Sequence, residues 1–147
     1  MILDQVSKYA IRTNFELYES VTVIVGSFSL TYIENTGAAF GFLSSVSFPF
    51  KTTILALAAT IALLFIAFYM VTLPSSQWIA RTGLSCILGG AMGNLIDRIT
   101  TGAVVDFIDL YWRGWHFWAF NVADTAITVG VIMMIVDLFW TGKHRAS

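Results

Sequence analysis

From Thr52 to Val71 the chain carries no charged residue, and Pro74 follows shortly after. About twenty apolar residues at 1.5 Å rise cross roughly 30 Å of hydrocarbon, so this run predicts a transmembrane helix over 52–73. A second apolar run, Trp78 to Ile96, is broken only by Arg81, and with Asp97 and Arg98 at its end it predicts a helix over 78–98. A third covers 121–140, with Asp124 near its start and Asp137 near its end. Between Thr22 and Phe42 the pattern changes to β-branched and aromatic residues punctuated by glycine, which predicts short strands. Met1–Ile11 is apolar apart from Asp4, Gln5, Ser7, Lys8 and Tyr9. Eleven residues rise about 16 Å, roughly half a bilayer, and no signal-peptide pattern is present. This segment reads as the outer end of a helix that is truncated or whose start is misassigned.

Composition moves the reading further toward the membrane. The 147 residues suffice for one domain, 1–147, and only 12% of them are charged against 57% hydrophobic. Soluble domains carry roughly 25% charged residues. The mean hydropathy is +0.77. A net charge of −1 gives no reason to expect nucleic acid. The lone Cys86 forms no internal disulfide and reads as a small buried apolar residue. No Cys/His cluster offers a metal site, so no metal is expected. Lys143, His144 and Arg145 after the last apolar run favour a cytoplasmic C-terminus. Counting back, the Pro74 turn is cytoplasmic, and the acids from Asp97 to Asp124 face outside together with 22–42. Lys51, Arg98 and Arg113 fall on that outer side, so charge bias alone does not decide the orientation.

The polar residues inside this apolar frame are the candidate chemistry. Gly89, Gly90 and Gly93 fall within two turns and read as helix-packing positions, and Gly89 and Gly93 form a small-xxx-small pair, which predicts close approach of a neighbouring helix there. Asn94, Asp97 and Arg98 share one helix face. Asp97 and Arg98 are adjacent, so each pairs with another group in the bundle, as a structural ion network. Asp106 and Asp124 each border an apolar run on the same side and lack a basic neighbour in sequence. Ionisable residues at membrane depth mark function by default. Two carboxyls brought together hold one proton between them, and such a pair can activate water and protonate a leaving group. Spacing does not choose Asp106 over Asp109. Nor does it exclude a helix N-cap role for Asp124 or a solvated loop position for Asp106. A small transporter would spread its acids over several depths, whereas Asp97, Asp106, Asp109 and Asp124 group at one end. A membrane scaffold would tolerate Asp106→Asn and Asp124→Asn alike.

Four stretches in order resemble the lipoprotein signal peptidase (signal peptidase II) family: 'LDQVSK' at Leu3–Lys8, 'NTGAAFGFL' at Asn35–Leu43, 'GGAMGNLIDRITTGAVVDFID' at Gly89–Asp109 and 'WHFWAFNVADTAITVG' at Trp115–Gly130. The resemblance covers nearly the whole chain. It implies Asp106 and Asp124 as the catalytic aspartates. It also implies site-supporting or substrate-binding roles for Asp4, Lys8, Asn35, Gly37, Asn94, Asp97, Arg98, Asn121 and Ala123. The implied fold is an all-α integral membrane protein of four transmembrane helices with a small extracytoplasmic β-cradle, for which 22–42 is the candidate. The family's first helix is complete, whereas only Met1, Ile2 and Leu3 precede Asp4 here. The implied reaction is removal of the signal peptide from a diacylglyceryl-modified prolipoprotein, cut just before the lipidated Cys, without a cofactor. The expected setting is the bacterial cytoplasmic (inner) membrane, as a multi-pass monomer among phospholipids with the site toward the extracytoplasmic face.

Overall fold

The computed structural model describes residues 1–37, 46 and 48–145, with side chains described through 139. The elements run α1 (Ile2–Asn14), β1 (Ser20–Ile24), β2 (Phe28–Asn35), α2 (Lys51–Thr72), α3 (Trp78–Thr100), β3 (Val104–Trp112), β4 (Trp115–His116) and α4 (Val122–Arg145). Lys51–Thr72, Trp78–Thr100 and Val122–Phe139 are long and apolar enough to cross a membrane. The molecule is thus a helical, membrane-type protein, with four helices and a small antiparallel sheet among the described residues.

α2 buries only Leu63 and leaves Leu57, Ile61, Leu64, Phe65 and Phe68 exposed. A helix apolar all round with this much open surface is built to face lipid. Its lower end is fixed by Leu73, Ala80 and Leu84, packed with Ile66, Met70 and Met134. Arg81 donates from Nη1 to the Leu73 carbonyl at 2.9 Å, which satisfies a carbonyl left over where Pro74 stops the helix.

α3 and α4 meet at glycines. A Cβ placed on Gly83 would lie 2.8 Å from the Gly130 carbonyl oxygen, and one on Gly90 would run into the Ala123 carbonyl oxygen. A Cβ on Gly93 would lie 2.5 Å from the Asp4 carboxylate. Gly89, expected at this contact, has only the Met1 nitrogen within 4 Å, at 3.9 Å. The α3–α4 approach therefore follows Gly83 and Gly90, seven residues apart; Gly93 is crowded as expected, by Asp4 of α1 and Ala123 of α4, and Gly89 alone of the pair lies outside a contact. A seven-residue step returns a helix to nearly the same face.

α1 is inverted. Asp4, Lys8 and Ile11 are buried, while Ile2, Leu3, Val6 and Tyr9 are exposed. It ends where the Asn14 amide donates back to the Ala10 carbonyl and Phe15 turns extended. The sheet order is β1-β2-β3-β4, antiparallel throughout. Arg113 and Gly114, at φ 51° and 81°, make the two-residue turn between β3 and β4. Consecutive positive φ values give a turn that matches the twist of the flanking strands. Strands were expected over 22–42 alone, of which 38–42 lies outside the described residues. The sequence pattern predicts no element over β3, which holds Asp106. Its Val104–Phe107 segment is buried throughout, paired along one edge with β2 and packed by helices, so it lacks the alternation that marks a strand exposed on one side. Ile11, Tyr32, Val105 and Phe107 form the core that joins α1 to the sheet, with Val122 of α4 packed against it.

Candidate active site

The site sits where α3 ends, β3 begins and α4 begins. Thr101 donates its hydroxyl to the Asp97 carbonyl at 2.9 Å as α3 closes, and Gly102, at φ 84°, turns the chain into β3. Two residues after Val104, Asp106 enters the interior at 3% exposure. Asn121 donates from Nδ2 to Asp106 Oδ1 at 2.7 Å, and Asn35 of β2 donates from Nδ2 to Asp106 Oδ2 at 3.0 Å.

Asp124 arrives through a helix start. The Asp124 N–H donates to Asn121 Oδ1 at 2.9 Å, and the Asn121 N–H donates to Asp124 Oδ2 at 3.2 Å. This is a reciprocal cap, so Asn121 is the N-cap and Asp124 its partner three residues on. The N-cap role considered for Asp124 belongs to Asn121. Asn94 of α3 donates from Nδ2 to the other oxygen, Asp124 Oδ1, at 2.8 Å. Asn121 therefore touches both carboxyls, Asp106 with its amide and Asp124 with its backbone. Asp109 is held elsewhere: His116 Nδ1 lies 2.9 Å from its carboxylate and stacks on Tyr111 at 5.0 Å.

Behind these groups lies an ion network. Lys8, fully buried, pairs with Asp4 at 3.0 Å and Asp97 at 2.8 Å, and donates to Asn94 Oδ1 at 2.7 Å. Asp4 accepts the Ala123 N–H at 2.9 Å, which places a carboxylate on the positive end of α4. Arg98 donates from Nη2 to the Gly37 carbonyl at 2.9 Å, and the Gly37 N–H donates to Asn35 Oδ1 at 2.9 Å. Asp97 and Arg98 thus face different partners. Among the described residues every buried side-chain nitrogen and oxygen has a hydrogen-bond partner. Two participants have no site role in the sequence reading. Gln5 donates to Asp4 at 3.2 Å, the Gly93 carbonyl at 3.1 Å and Asp97 at 3.2 Å, and Arg12 pairs with Asp97 at 3.4 Å. Helical spacing was the available signal, since Gln5, Lys8 and Arg12 recur at i, i+3 and i+7.

Burial, reinforced by the Asp124 carboxylate, pushes the Asp106 carboxyl from 3.8 up to about 7. The folded state therefore holds a proton that the unfolded chain has already lost. The stability this contributes is fully present below 3.8 and is lost as pH rises through about 7. The wild type's melting temperature in detergent is expected to fall between pH 5 and pH 8 by an amount that Asp106→Asn removes. Each pKa unit is worth about 1.4 kcal/mol, which makes the effect on the order of 3 kcal/mol. The amide cannot accept from both Asn35 and Asn121, a cost independent of pH, so the slope and not the offset is diagnostic. Parallel slopes for the two proteins would contradict a proton held on Asp106.

Comparison with known proteins converges on one family. A family model described as signal peptidase (SPase) II matches residues 1–140. The chain is 45% identical over 127 residues to a lipoprotein signal peptidase of Geobacter sulfurreducens, covering 86% of this chain and 78% of that one. It is 44% identical over 127 residues to a lipoprotein signal peptidase of Actinobacillus succinogenes, covering 86% and 76%. Its fold is similar to a bacterial membrane enzyme solved by the in meso method at 2.3 Å, with a TM-score of 0.86 and 35% identity, covering 97% of this chain and 84% of that one.

Proposed function

The chain belongs to the signal peptidase II family, and on that premise we propose that Asp106 and Asp124 are its catalytic pair. The protein is a bacterial multi-pass membrane protein and an aspartic endopeptidase that removes signal peptides from prolipoproteins. The observation that carries the assignment of the pair is the Asn121 bridge, which donates to both carboxyls, the buried Asp106 and the half-buried Asp124. Together they bear one proton near neutral pH. The ionised carboxylate takes a proton from water as the oxygen attacks the scissile carbonyl. The other carboxyl gives its proton to the departing amide nitrogen. The supporting positions Asp4, Lys8, Asn35, Gly37, Asn94, Asp97, Arg98, Asn121 and Ala123 hold this geometry.

The site lies at the α3 C-terminal and α4 N-terminal end, opposite the Pro74 turn and the basic Lys143–Arg145 end of α4. Basic residues accumulate on the cytoplasmic side, which supports an orientation with the site at the extracytoplasmic edge of the inner membrane. A signal helix lying in the bilayer then ends at the level of the two aspartates. A diacylglyceryl group on the Cys after the scissile bond would hold that bond at the same edge. The enzyme acts as a monomer among phospholipids and without a cofactor.

A synthetic substrate tests the specificity. Purified protein is expected to cut a diacylglyceryl-modified peptide immediately before its Cys and to leave the unmodified peptide intact, as read by mass spectrometry. Equal cleavage of both peptides, or a cut elsewhere, would remove lipid recognition from the reading.

A further inference from the structure

Each carboxyl of the pair accepts N–H groups from amides whose own oxygens are already engaged. The Asn121 oxygen accepts the Asp124 N–H, and the Asn35 oxygen accepts the Gly37 N–H. A side-chain amide with its oxygen bound to a donor must present its NH2 on the other side. For Asn121 and Asn35 that donor is backbone, held by a helix start and a tight turn. Asn94 differs. Its oxygen accepts from Lys8 Nζ at 2.7 Å and from Asn121 Nδ2 at 3.3 Å, and its Nδ2 donates to Asp124 at 2.8 Å. The shorter bond comes from a buried cation on α1, a different element from either aspartate.

We propose that Lys8 is a positioning residue for the reaction, acting through Asn94. Its ammonium holds the Asn94 oxygen toward α1, so that the Asn94 NH2 faces Asp124 and keeps that carboxyl aimed at the substrate. Flipping the amide would set an oxygen against Asp124 and leave Lys8 facing an NH2. Lys8 has no acceptor capacity, so the flipped state places donor against donor at one end and acceptor against acceptor at the other. Asp4 and Asp97 complete the ammonium's three donors, which fixes the direction of the Asn94 bond. The inference rests on Asp124 being a member of the catalytic pair.

The test compares Asn94→Asp, Lys8→Ala and Asp124→Asn in steady-state cleavage of the lipid-modified peptide, with melting temperature recorded alongside. Asn94→Asp keeps an oxygen for Lys8 but offers an oxygen to Asp124. Its kcat is expected to fall about 100-fold with KM within threefold and folding retained. Lys8→Ala takes the ammonium away from Asp4, Asp97 and the Asn94 oxygen, and small primary amines such as ethylamine are expected to restore at least tenfold of its lost kcat, whereas ethanol is not. If Lys8→Ala does not fold, Asn94→Asp decides alone. A folded Asn94→Asp variant with wild-type kcat, or amine and alcohol acting alike on Lys8→Ala, overturns the positioning role. Asp124→Asn separates the two readings: full activity in that variant sinks the catalytic pair itself. An inactive Asp124→Asn beside a fully active Asn94→Asp sinks only the role of Lys8.

Discussion

Asp106→Asn, Asp124→Asn and the double variant are expected to fall to the same background, at least about 10³-fold below wild type. Groups that act as a unit lose their effect together, so the second substitution adds little to the first. Asparagine keeps the planar shape of the carboxyl but neither takes a proton from water nor delivers one to the leaving nitrogen. At position 106 it still accepts one N–H, from Asn35 or Asn121, so the pocket stays assembled. Asn35→Ala removes one of those donors and leaves both carboxyls, so its loss is expected to be smaller, about 10- to 100-fold. The rate of signal-peptide release from a lipid-modified substrate, with binding measured separately, checks the series. Cleavage well above background in either single variant would sink the two-aspartate mechanism. So would a double variant far below both singles. A loss of activity on adding a chelator would count against it as well, because acid–base work by two carboxyls requires no metal.

Gly90→Val is expected to cost about 3 kcal/mol or more and to abolish most activity, while Gly89→Val stays within about 0.5 kcal/mol of wild type. The two positions are neighbours in sequence but face different surroundings. A Cβ at Gly90 would meet the backbone oxygen of Ala123, which cannot rotate aside, and the Ile127 side chain at 2.8 Å. α4 must then move away from α3. Ala123 precedes Asp124, so the displacement reaches the Asn94–Asp124 hydrogen bond directly. Gly89 has nothing nearer than the Met1 nitrogen at 3.9 Å, and a β-carbon there also lowers the conformational entropy of the unfolded chain. Thermal melting in detergent, paired with cleavage rate, separates the two. Equal behaviour of both variants would mean that α3 and α4 do not approach through Gly90.

The legible part of this protein is what a bilayer enforces locally. Hydrocarbon admits few charges, so the runs later found in α2, α3 and α4 stand out by composition alone. The ordered motifs carried the family, because each brings rare polar residues into an apolar frame. The inverted face of α1 was also present in the spacing of Gln5, Lys8 and Arg12, although its meaning depends on what lies opposite.

Everything that depends on distant partners came from the fold. Residues read alone left Asp106 and Asp109 equivalent, since both sit in 'VVDFID' with apolar neighbours. β3 separates them. Asp106 is buried against Asn35, 71 positions away in the chain, while Asp109 pairs with His116 on the adjoining hairpin. Strand β3 itself escaped notice because burial on both faces erases the period of two. The helix contact moved from Gly89 to Gly90 because one helical position turns a side chain by about 100°, and only the placement of α4 says which direction is crowded. Sequence by itself determined the membrane-spanning helices and the residue types available for acid–base chemistry, because hydropathy and ionisability are properties of single side chains. Beyond what the family resemblance implied, only tertiary structure gave which amide holds which carboxyl, because hydrogen bonds act over about 3 Å and their partners here lie up to 119 residues apart.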